Sequence, residues 1–112
     1  MPKKSDLVKI ENVIKYLNDI DLIIFHHESV DQALLDNKDQ YAIKLCLMQI
    51  SEKINTIEDE SIISKLTVPE IVSFRNRVVH NYKGTDLVII KKIIFESLPE
   101  LKKTLSDILK SS

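Results

Sequence analysis

From position 87 to 108, Leu87, Ile90, Ile94, Leu98, Leu101, Leu105 and Ile108 place an apolar side chain at every third or fourth residue. Only an α-helix lines such positions up on one face. The period passes through Pro99 unbroken, which predicts one long helix kinked at the proline rather than two helices. Thr85 or Asp86 supplies its cap. A second stripe, Ile43, Leu47, Ile50, Ile54 and Ile57, is broadened by Leu45 and Met48. A third, Leu7, Ile10, Ile14, Leu17 and Ile24, is interrupted by Asp21 and predicts a helix over about residues 6–26, with Ser5 as its cap.

The remaining segments read as connections and one shorter helix. Residues 28–40 are more polar, and Asp36-Asn37-Lys38-Asp39 looks like a loop, with a short turn at 31–35. The acids Glu58-Asp59-Glu60 follow the second helix. Thr67-Val68-Pro69-Glu70 resembles a helix start, with Thr67 as cap, Glu70 reaching back to it, and Pro69 in the first turn, where its missing N–H does no harm. That predicts a third main helix over about residues 68–80, turning at Gly84, the chain's only glycine. Four amphipathic helices with short connections form an all-α, up-and-down bundle in a single domain over residues 1–112.

Composition agrees with that class. With 44% apolar residues the chain has enough to build a core. Cys46 is the one cysteine, and an internal disulfide needs two. It lies in an apolar run and reads as a buried, reduced thiol, which points to the cytoplasm. The N-terminus lacks an apolar segment preceded by positive charge, and no apolar run approaches membrane-spanning length. The net charge of −1 is unevenly spread: residues 72–103 carry +4 and the rest −5. Nucleic-acid binding by bulk electrostatics requires a basic surface, and only this one segment offers it.

The same segment holds the stretch that suggests chemistry, Arg75-Asn76-Arg77-Val78-Val79-His80-Asn81-Tyr82. Arg75 offers a planar fork of donors for a phosphate. His80 moves protons near neutral pH. On a helical wheel Arg75 and Tyr82 fall with Ile71, Phe74, Val78 and Val79 on the apolar side. An arginine there needs a partner, so it either snorkels, pairs with an acid on another helix, or binds an anion. Arg75 and His80 lie about 140° and roughly 7.5 Å apart on a regular helix. To meet on one phosphate, the helix must unwind near His80, the Arg75 side chain must wrap round, or a second subunit must supply the missing half. The plainer readings are a helix-end histidine, a half-buried tyrosine and solvated charges at Arg77 and Lys83. His26-His27 lack a metal-ligand pattern and read as helix-end residues. No glycine-rich phosphate loop is present, so no cofactor is expected.

Arg75-Asn76-x-x-x-His80-x-Tyr82 resembles the signature of the HepT-like branch of the HEPN superfamily. The likeness extends through Phe74, Asn81, Lys83, Gly84-Thr85-Asp86 and Leu98-Pro99-Glu100-Leu101. Upstream, Gln49-Ile50-Ser51-Glu52 sits where that family commonly has Ile-Gly-Glu. The resemblance implies a helical bundle that dimerises with its Arg/His motifs near the interface. It implies a ribonuclease toxin whose partner, an MNT-type nucleotidyltransferase, silences it by transferring AMP to the motif tyrosine, here Tyr82. Arg75 and His80 would be catalytic, Asn76 supporting, and Arg77 and Lys83 candidates for flanking phosphates of the RNA. Two positions depart from the pattern: Ser51 replaces a glycine on the second helix, and Ser73 stands where a glycine often precedes Phe-Arg-Asn. Both bear on close helix packing. The competing expectation is a non-catalytic companion of a nucleotidyltransferase, in which Arg75 binds phosphate and His80 is a structural hydrogen-bonder. A bundle built only for oligomerisation is a third.

Overall fold

The computed structural model describes residues 3–76 and 87–111. Every regular element among them is helical. They are α1 (Lys4–Phe25), α2 (Val30–Leu35), α3 (Asn37–Asn55), α4 (Glu60–Ile63), α5 (Pro69–Val72), a further helical turn at 74–76, α6 (Leu87–Lys92), a π-helical turn (Ile93–Ser97) and α7 (Leu98–Lys110). The all-α class predicted from the stripes is the one found. The count differs, because short helices occupy connections that read as loops.

The core is the meeting of the predicted stripes. Ile10, Val13, Leu17 and Ile20 of α1 are fully buried, at steps of three and four. Against them lie Ile43, Leu47, Ile50 and Ile54 of α3, on the same period. From the C-terminal side, Leu98, Leu101, Leu105 and Ile108 of α7 complete the core, with α7 packed on α1. Leu7, Ile14 and Ile24, expected in the first stripe, sit partly buried at its edge, and Val13 and Ile20 take the centre.

Capping in the N-terminal half of the chain departs from the sequence reading. Ser5 lies inside α1, whose cap residue is Lys3, without a side-chain cap bond. Asp36 caps α3 by accepting from the Asp39 N–H at 2.9 Å, so Asp36–Asp39 opens a helix instead of forming a loop. Asp59 caps α4 in the same way, accepting from the Ser61 and Ile62 N–H groups. The Ser61 hydroxyl bond is the main cause holding the Asp59 carboxyl below its ordinary range. Short polar side chains favour loops and caps alike, and only the neighbouring backbone decides between them.

The long C-terminal helix is continuous, but its irregularity is a π turn lying before Pro99. Ile90, Ile94 and Leu98 are two successive steps of four, and each step overshoots the face by about 40° in an α-helix. A wider turn absorbs that drift, which keeps Ile90, Ile93, Ile94 and Leu98 all buried. It also spans Phe95, the residue whose carbonyl a proline at 99 cannot bond and would crowd.

Asp6 is wholly buried on the first turn of α1. Its carboxylate accepts from the Glu58 N–H at 3.2 Å and the Asp59 N–H at 3.0 Å, with Lys9 Nζ at 3.8 Å. It therefore fastens the start of α1 to the start of α4, more than fifty residues on. Asp6→Ala leaves two inward-facing N–H groups without an acceptor. The expected cost is about 2–4 kcal/mol, measured by urea unfolding; a change within error of zero would show that the carboxylate does not hold this junction.

Candidate active site

The site begins with how α5 ends. Pro69 starts it, with Val68 as cap residue and no side-chain cap bond, so the expected Thr67–Glu70 box does not form. Glu70 instead reaches Lys92 Nζ at 3.5 Å. The carbonyl of Val72 is claimed from α3: Ser51 Oγ donates to it at 3.2 Å and Asn55 Nδ2 at 3.0 Å. Ser73 then forms a turn, its hydroxyl donating back to the Pro69 carbonyl at 2.8 Å. The predicted single helix over 68–80 is thus broken at Ser73, and residues 74–76 form a separate helical turn.

This break corrects the wheel on which Arg75 lay in the apolar arc. Phe74 points inward and is 1% exposed, whereas Arg75 and Asn76 are exposed. Arg75 Nη1 lies 4.0 Å from Glu52 Oε2 on α3, with both side chains about half exposed (55% and 48%). Of the alternatives, the pairing with an acid on another helix is realised. An exposed pair at that distance contributes little to stability, on the order of 0–1 kcal/mol, so the guanidinium is held only loosely by Glu52.

Of the residues singled out from the sequence, Arg75 and Asn76 are described and adjacent. Arg77, His80, Tyr82 and Lys83 lie outside the described residues, as do Gly84 and the caps Thr85 and Asp86. Ser51, a departure from the family pattern, is fully buried with its hydroxyl used on Val72. Asn55 and the role of Glu52 were not anticipated. The available signal was a polar Ser51 and Asn55, four apart, beside an otherwise apolar stripe. Beside Asn55 an apolar recess of about 150 Å³ is lined by Ile54, Ile57, Ile63, Leu66 and Val72.

Most of the cations of residues 72–103 face acids of other elements. Lys91 meets Asp31 at 2.7 Å, Lys92 meets Glu70, Lys102 meets Asp21, and Arg75 meets Glu52. The basic excess is therefore partly consumed within the fold. Cys46 is half-buried, and burial, helped by the charge of Asp19, pushes its thiol above the ordinary range. That opposes a nucleophilic role.

An all-helical domain presenting an exposed Arg-Asn pair just after a helix break is the setting in which the comparisons fall. The family model for ribonuclease HepT-like proteins matches residues 9–108, and the chain belongs to that family. It is similar to three proteins of Methanocaldococcus jannaschii. It is 26% identical to "Putative RNase MJ1216" over 98% of this chain and 92% of that protein. It is 26% identical to "Putative RNase MJ0125" over 98% and 96%, and 29% identical to "Putative RNase MJ1380" over 87% and 84%. No solved structure matches the chain. No helix among the described residues is long and apolar enough to cross a membrane.

The Val72 carbonyl bonds give a direct test. Asn55→Ala is expected to cost about 0.5–1.5 kcal/mol, and Ser51→Ala a similar amount, each read from the urea midpoint. Together they should lose more than the sum, because each single variant leaves the other donor on the carbonyl and only the double leaves it unmet. Strict additivity would separate the two bonds.

Proposed function

We propose that this chain is an endoribonuclease that cuts RNA without a metal ion, acting in the cytoplasm as the toxin of a toxin–antitoxin pair. The observation that carries the reading is the exposed Arg75 guanidinium, held only loosely by Glu52, in a chain of the ribonuclease HepT-like family. The names of the Methanocaldococcus jannaschii relatives support RNA as the substrate. In the reaction, the ribose 2′-oxygen attacks the adjacent phosphorus and the bond to the 5′-oxygen breaks. A 2′,3′-cyclic phosphate and a 5′-hydroxyl result. His80 takes the proton from the attacking hydroxyl or returns one to the leaving oxygen, a role that contributes about 10²–10⁴-fold in rate. Arg75 exchanges Glu52 for the phosphate and neutralises charge building on its oxygens. Asn76 supports His80, and Arg77 and Lys83 hold flanking phosphates. A homodimer brings two histidines together, one for each proton transfer.

The partner in this reading is an MNT-type nucleotidyltransferase that attaches AMP to Tyr82. The added bulk and negative charge oppose RNA entry by occlusion and by repulsion.

Two measurements test this. RNA cleavage in EDTA is expected for the wild type and should fall by about 10²–10⁴-fold in His80→Ala; equal activity in the two proteins removes His80 from the chemistry. Tyr82→Phe should still cut RNA and should escape silencing when the nucleotidyltransferase and ATP are added. Silencing as complete as in wild type would rule out Tyr82 as the acceptor.

A further inference from the structure

His27, Asp36 and Asp39 bring one imidazole nitrogen and two carboxylate oxygens within 4.8 Å of one another. The sequence gives no hint of this, since the spacings of nine and three match no ligand motif. Three different structural positions supply the groups. His27 lies just past the C-cap of α1, Asp36 joins α2 to α3, and Asp39 sits in the first turn of α3.

The backbone around the grouping is fixed by bonds that do not depend on an ion. The His27 backbone N–H donates to the Ile24 carbonyl at 2.9 Å. One Asp36 oxygen accepts from the Asp39 N–H at 2.9 Å, and the Gln40 N–H donates to the Asp36 carbonyl at 2.8 Å. Gln40 Nε2 ties the same turn to the Leu34 carbonyl at 2.8 Å. His27 Nε2 and Asp39 Oδ2 lie 2.5 Å apart, and their side chains are only 18% and 24% exposed.

The three ligand atoms converge in one small region, His27 and Asp39 partly buried and Asp36 exposed, and a dication among them offsets the two carboxylates. Imidazole with carboxylate oxygens suits zinc and its neighbours, and three protein ligands leave a fourth position for water. We propose that His27, Asp36 and Asp39 form a binding site for a divalent transition-metal ion of the zinc class, which clamps the end of α1 to the start of α3. The site is structural and stands apart from the reaction. Along α3, Asp39 and Glu52 are separated by about 20 Å.

The test uses the full chain, stripped with a chelator and titrated with zinc chloride by calorimetry, with the thermal midpoint followed in parallel. Wild type is expected to bind one equivalent and to unfold at a higher temperature when loaded. His27→Gln and Asp39→Asn, which act on the ligands themselves, should weaken binding by at least the roughly 10–100-fold lost when only a supporting partner is removed, and abolish the thermal shift. Asp36→Asn should do the same while keeping the α3 cap, since asparagine caps as well as aspartate. His80→Ala and His26→Gln should bind as wild type does. Absence of zinc uptake by wild type overturns the proposal. So does undiminished binding in the three site variants, or loss of binding confined to His80→Ala or His26→Gln.

Discussion

The geometry around Arg75 depends on one carbonyl oxygen. Two donors on α3, Ser51 Oγ and Asn55 Nδ2, converge on the Val72 carbonyl. Had the helix continued regularly, that carbonyl would have served a residue four positions later. With it engaged sideways, α5 closes at Ser73 and the next turn begins in a new direction. Phe74 then fills the core and Arg75 faces solvent beside Glu52. The residues at 51 and 73 that depart from the family pattern are both hydroxyl-bearing, and both use that hydroxyl on backbone carbonyls at this break. A glycine at either place could offer no such bond.

How much of this was legible in the sequence follows from the range over which each signal acts. The long stripes of α1, α3 and α7 were readable because each repeats its period over several turns, and burial enforces it. Of the short helices, α2 was legible only as a turn at 31–35 and α4 not at all, because a single turn leaves no period to detect. Their starts rest on Ser29 and Asp59, residue types that serve loops equally well. Arg75 was legible as a residue but misplaced, because the wheel assumed an unbroken helix over 68–80. The break is made by α3, some twenty residues upstream in the chain, and no local pattern carries that information. The meeting of His27 with Asp39 is invisible for the same reason: it depends on how α1 and α3 pack.

The charge pattern tells a related story. A linear tally makes residues 72–103 look like a surface prepared for a polyanion. In the fold, Lys91, Lys92 and Lys102 are directed at Asp31, Glu70 and Asp21 on α2, α5 and α1. Such exposed pairs are individually weak, but they leave less positive potential for a distant phosphate chain to sense.

The π turn at Ile93–Ser97 determines which way those lysines face. It holds one residue more than an ordinary turn, directly between Lys91-Lys92 and the core-packed α7. Losing a single residue there would let the backbone relax into a plain α-helix. Everything on the N-terminal side would then swing by about 100° about the axis. Lys91 would leave α2, Lys92 would leave α5, and Ile90 would turn out of the core. This stretch of the chain is thus intolerant of length change, and only its exposed positions, Phe95 and Glu96, are free to vary.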